Sequence, residues 1–155
     1  MLHRTTAVKA VFATLLAVGF LFGAQSFAAN TFVQAESSHS FSSTVSHLKH
    51  AISSNGMMVM GHINQANVLK MTGLHLKGAE SLLVGNPKVG KKFFSMSPSA
   101  GAVLPLRMYV WDEHGKTYVG YFKPSALLSD VNTQFAKPSQ MMDKKFAMIL
   151  KAATH

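Results

Sequence analysis

The spacing of apolar residues changes period several times along the chain, and each change marks an element. Phe32, Val33, Gln34 and Ala35 predict a short first strand over residues 31–36. Phe41, Val45, Leu48 and Ile52 then fall at helical spacing, which predicts an amphipathic helix over 40–55 that Ser42 or Ser43 can cap and Asn55-Gly56 ends. The apolar run 57–63 after that turn predicts a second strand, and 65–71 a short helix stopping at Thr72-Gly73. Leu82, Leu83 and Val84 stand in an unbroken apolar run over 81–85, the mark of a strand buried on both faces, and Asn86-Pro87 ends it.

Residues 88–96 predict a helix burying Val89, Phe93 and Met96, followed by a loop through Ser97-Pro98-Ser99 and Gly101. Two strands, 104–111 and 117–122, are joined through Asp112-Glu113-His114-Gly115-Lys116, whose glycine suits a tight hairpin. After a last turn at 124–128 and a polar linker, Met142, Phe146, Ile149 and Leu150 give an apolar face to a helix over 139–152, with Lys144, Lys145 and Lys151 outside it. The sum is an α+β fold: a compact two-layer domain of about five strands with helices on one face. It reads as a leader over 1–28, a main domain over 29–136 and a C-terminal amphipathic helix over 137–155.

The leader has the three parts that export requires. Arg4 and Lys9 supply a basic start, residues 10–23 are uncharged and rich in Val, Leu and Phe, and Ser26-Phe27-Ala28 places small residues at a cleavage site. Cleavage is expected between Ala28 and Ala29. The apolar run is shorter than the roughly 20 residues that span a bilayer, which disfavours an uncleaved anchor. The expected location is therefore periplasmic or secreted, and the remaining 127 of 155 residues suffice for one domain.

Losing Arg4 and Lys9 with the leader lowers the net charge from +9 to +7, so anionic partners are favoured. Export and the scatter of the lysines exclude nucleic acid, leaving anionic lipid headgroups or cell-wall polymers as an envelope surface to meet. A solvated basic surface is the simpler account. The chain has no cysteine, which removes thiolate chemistry, cysteine-ligated zinc, iron–sulfur clusters and covalent c-type haem.

Gly85-Asn86-Pro87-Lys88-Val89-Gly90, then Leu104-Pro105-Leu106-Arg107, then Tyr109-Val110-Trp111-Asp112 and Gly115-Lys116 together resemble the domain of unknown function 302 family, in particular its exported bacterial members. The resemblance covers residues 40–131. It implies a compact α+β fold, frequent homodimers and no established catalytic activity. Exported relatives typically read isoleucine-aspartate-histidine-alanine where this chain reads Ile63-Asn64-Gln65-Ala66. Two amides thus replace two ionisable groups and cannot exchange a proton near neutral pH, so no role is carried over to Gln65.

Four groups of residues carry candidate chemistry. Residues 85–91 have the spacing of a phosphate-binding loop, but Pro87 lacks an N–H and the position that should hold Ser or Thr is Lys92, so a structural turn into a helix is expected, with room for one anion at most. Met58, Met60 and His62 alternate along the second strand and would share one face, where two thioethers and an imidazole suit Cu(I). Ordinary packing of those methionines in the core is the preferred alternative. His47 and His50 lie three apart on the first helix, a spacing that could hold a surface metal, but no carboxylate sits nearby to complete a site and an exposed pair is the preferred reading. His39, His75 and His114 fall in loops or turns and His155 follows the last helix. Haem asks for an apolar crevice and an axial imidazole or thioether, for which His62, His75 and Met60 are the candidates.

No serine sits in a glycine-flanked elbow, and the neighbouring acids Asp112 and Glu113 belong to the hairpin turn, so no enzyme is expected. The leading expectation is an exported, non-catalytic domain that binds a small molecule, haem or a soft metal ion, with a homodimer as its frame. The alternative is a cell-envelope interaction protein that binds a protein or an anionic surface and no small molecule.

Overall fold

The computed structural model describes residues 31–155, and the leader expected over 1–28 lies outside the described residues. Five strands, β1 (Phe32–Glu36), β2 (Met58–Asn64), β3 (Ala79–Gly85), β4 (Leu106–Glu113) and β5 (Lys116–Phe122), form a single sheet in the order β1-β5-β4-β3-β2. Every neighbouring pair is antiparallel. Five helices accompany it: α1 (Phe41–Ser54), α2 (Gln65–Lys70), α3 (Pro87–Met96), α4 (Pro124–Val131) and α5 (Ala136–Thr154). The expected α+β architecture is thus present.

Strand alternation divides the sheet into two unlike faces. Leu82, Val84, Leu106, Met108, Val110 and Val119 point to one side and are almost wholly buried with Leu48 and Ile52 of α1 and Phe146 and Ile149 of α5. Tyr109, Trp111 and Tyr118 point to the other side and stay half-exposed, beside exposed Arg107 and Phe122. The β4–β5 hairpin turns through His114 and Gly115, whose φ values of 51° and 80° lie in the left-handed region that a tight antiparallel turn demands.

The last third differs from expectation in its boundaries. The predicted turn at 124–128 is a two-turn helix, and the predicted polar linker holds a 3-10 turn, Thr133–Phe135, that buries Phe135 completely. α5 begins at Ala136, ahead of Pro138, because a first-turn proline lacks only an N–H that has no intrahelical acceptor there. Its Met142, Phe146, Ile149, Leu150 and Ala153 join the same core as the sheet. The C-terminal helix therefore packs its apolar face on the sheet.

Candidate functional site

β2 does not run as a plain alternating strand. Met58 pairs with Gly85 and Val59 with Val84, but Gly61 pairs with Leu83 and His62 with Leu82, so Met60 is an extra residue in a bulge. Gly85 and Leu82 stand on opposite faces of β3, and the bulge therefore turns His62 away from the face of Met58. This corrects the expectation that Met58, Met60 and His62 share one face. It also corrects the preferred alternative, since Met58 and Met60 are each 55% exposed and only Met57 enters the core.

The residues are parted further by their partners. His62 Nε2 lies 2.6 Å from Glu80 Oε2, and Asn64 Nδ2 donates to Glu80 Oε1 at 3.0 Å. His75 lines a polar hollow in front of β3 with Asn64, Lys70, Lys77 and Glu80. Met60 instead lies over Gly85, where any Cβ would overlap its sulfur. The two candidate imidazoles thus gather near Glu80, and the candidate thioether lies elsewhere.

Where Met60 goes, an apolar cleft opens. It holds about 250 Å³ and is walled by Met60, Val84, Val89, Phe94, Leu104 and Pro105, with Lys91 at its side. A second cleft of about 260 Å³ runs along the other flank of α3, walled by Met57, Phe93, Met96, Met141 and Phe146, with Lys92 and Lys145. Asn86, Val89 and Met142 line both. Five of the chain's ten methionines line the pair, and the linings include three lysines and no acid. Gly90 lines the first cleft, and a Cβ there would meet nothing within 4 Å.

Local structure explains how α3 comes to divide these clefts. Asn86 Oδ1 accepts from the backbone N–H of Lys88 at 2.9 Å and of Val89 at 3.2 Å, while its Nδ2 donates to the Gly56 carbonyl at 2.7 Å. One residue thus caps α3 and ties it to the turn before β2. Because the cap already occupies those amides and Pro87 has none, this helix start has no free N–H pair for a phosphate. Lys145 Nζ donates to the Asn55 carbonyl at 2.7 Å, which leaves Lys91 and Lys92 as the outward cations of the clefts.

The sequence reading placed Val89, Phe93 and Met96 on a buried helix face and missed Phe94 and the clefts; Phe93 is buried, but Met96 is not. Phe94 and Met96 are 47% and 43% exposed, off the side of α3 that buries Phe93. The signal available was an apolar residue on both sides of a short helix, together with Met141-Met142 just ahead of Lys144-Lys145.

The uncovered sheet face is the other notable surface. Trp111 stacks between Tyr109 and Tyr118 with centroids 5.4 Å from each, and Phe32 packs 5.0 Å from Phe122. Burial raises the phenol pKa of Tyr109 above its ordinary value. On the same face Gln65 Nε2 donates to Ser81 Oγ at 2.5 Å, while its Oε1 is buried without a donor.

The family described as Domain of unknown function DUF302 matches residues 33–153. A crystal structure of an uncharacterized conserved protein DUF302 from Bacillus stearothermophilus matches with a TM-score of 0.76 and 22% identity, covering 82% of this chain and 100% of that one. At that identity the likeness speaks for the fold. No match is found among curated proteins. The family match spans most of the chain, and the chain belongs to that family.

Proposed function

We propose that this DUF302-family chain is an exported, non-catalytic domain that binds a small apolar molecule carrying a negative charge, seated in the clefts on either side of α3. The observation that carries the reading is the lining itself: methionine and aromatic walls, lysines at the sides and no acid. Methionine suits such a site because its unbranched, polarisable side chain adapts to ligands of varied shape. Each cleft has room for about eight methylenes, at a water-like volume of ~30 Å³ apiece. A medium-length acyl chain with a carboxylate or similar head near Lys91 or Lys92 fits that chemistry.

Haem is the narrower version of this reading. Met60 reaches a cleft wall, but His62 and His75 do not line either cleft, so haem there would rest on a thioether. Copper at Met58, Met60 and His62 has lost its common face to the bulge.

The test is calorimetric titration of the protein with decanoate. Gly90→Phe should fill the first cleft from an open position and weaken binding at least about tenfold. Its folding stability should stay within about 1 kcal/mol, since Gly and Phe differ by less than that in helix propensity. Unchanged affinity in this variant would remove the cleft from the account.

One observation favours a second reading, an envelope interaction module working as a homodimer. On the strands β1, β5 and β4, Phe32, Tyr109, Trp111, Tyr118 and Phe122 form a run of touching rings on the face turned away from the core helices. The face is aromatic, as the core of a protein interface commonly is. Light scattering should then give twice the chain mass, and Phe122→Asp should halve it; a monomer throughout would sink this reading.

A further inference from the structure

Four histidines, three from the start of the domain and one more than 100 positions later, line one surface hollow of about 390 Å³: His39, His47, His50 and His155. Its remaining wall is Ala51, Ser54, Asn55 and Ala152, with no side-chain carboxylate and no lysine. His47 and His50 lie three apart on α1 and project from the same side of that helix. His39 immediately precedes the Ser40 cap of α1, and its ring meets that of His47 edge-on with centroids 4.3 Å apart. His155 follows α5.

Hydrogen bonds hold the contributing segments together. Ser38 donates both its N–H and its Oγ–H to the Thr154 carbonyl, at 3.0 and 3.1 Å, which fastens the β1–α1 loop to the end of α5. Within that loop the His39 N–H donates to Ser37 Oγ at 3.2 Å, and Thr44 Oγ1, wholly buried, donates to the same oxygen at 2.8 Å. The hollow is therefore built on fixed backbone from three segments. The imidazoles themselves are exposed or half-exposed.

We infer that this hollow is a binding site for a divalent transition-metal ion held by imidazole nitrogens, with Cu(II) preferred over Ni(II) and Zn(II). A side-chain donor set of imidazoles with neither thiolate nor side-chain carboxylate suits these ions and is poor for Mg²⁺ and Ca²⁺, and the stability order of first-row ions places Cu(II) first. His155 Nδ1 lies 3.0 Å from Thr154 Oγ1, which engages one ring nitrogen and leaves Nε2 for the metal. His50 Nε2 is engaged in the same manner by Ser54 Oγ at 3.4 Å, leaving Nδ1. Among the described residues no three such donors already meet at one point, so the ion closes the set by rotating the rings about χ1 and χ2. This site is separate from the clefts beside α3 and stands or falls independently of them.

The test is titration of the chelator-treated full chain carrying His3→Ala, which removes the amino-terminal Met1-Leu2-His3 copper chelate, with Cu(II), followed by electron paramagnetic resonance of the one-equivalent complex. The expected result is one tight site with hyperfine structure from at least two imidazole nitrogens. The double variant His47→Ala/His50→Ala should lose it by roughly 100-fold or more, and His39→Ala or His155→Ala roughly tenfold each, in the range by which outlying partners already affect metal sites. His62→Ala and His75→Ala should bind as the parent does. All four positions are on the surface, so circular dichroism should show the fold retained. Undiminished binding in the double variant, or equal loss in His62→Ala, would overturn the assignment, as would a spectrum without nitrogen coupling.

Discussion

At the residue scale, the best-defined consequence of the open sheet face is the state of Tyr109. Burial disfavours its phenolate, so its folded pKa lies above the ordinary value of about 10. The folded chain then holds a proton that the unfolded chain releases, and the associated stability is complete below the unfolded pKa and is lost as pH rises through the folded one. Tyr121, raised by burial and by Asp143, acts in the same direction. So does exposed Lys116, raised by its hydrogen bond to Glu36. Melting temperature should therefore fall above pH ~10, and Tyr109→Phe should lessen the fall. A phenolate absorbance that grows in at the ordinary pKa, with a flat melting profile, would contradict this.

Single residues also explain why the methionine strand misled the sequence reading. Period-two alternation joins Met58, Met60 and His62 only if no residue is inserted. Gly61 permits the insertion, because a Cβ there would lie 2.9 Å from Leu83 Cδ1. The sulfur of Met60 occupies the space a side chain at Gly85 would need. A glycine inside an apolar strand pattern was a legible sign of a bulge. Its outcome was not, because it depends on residues of β3 more than 20 positions away.

At the element scale, α3 is the piece on which the functional reading turns. It is short, begins with proline and carries glycine at position 90, so its placement depends on the Asn86 cap more than on its own propensity. Asn86→Ala removes two accepted hydrogen bonds and the donation to Gly56, and should cost about 1–2 kcal/mol in urea unfolding. Ligand affinity should fall with it, because both clefts share this residue. A stability loss with affinity untouched would separate the cap from the site. The existence of α3 was plain from Val89, Phe93 and the preceding Asn86-Pro87. The clefts were not, since they form only where α3 meets α5 and the segment around Pro105.

For the whole molecule, most of the architecture could be read in advance because local signals and tertiary packing agree. The hairpin at His114-Gly115, the buried run of β3 and the apolar stripe of α5 each demand one placement, and the sheet order follows from their antiparallel pairing. Sites that need distant segments could not be read the same way. The histidine hollow is the sharpest case, with His39 and His155 joined through Ser38 and Thr154 across 116 residues. Likewise, one-sided burial of the sheet appears only when helices are seen to fill one face and leave Trp111 and Phe122 on the other.

The central claim is that the domain carries a small apolar anion beside α3, and native mass spectrometry of the protein isolated from its own host tests it most directly. The account predicts a chain accompanied by one molecule of amphiphile mass, released on denaturation and carried by a smaller fraction of Gly90→Phe prepared in the same way. A parent protein that flies at its bare mass, and stays so after incubation with decanoate, would contradict it.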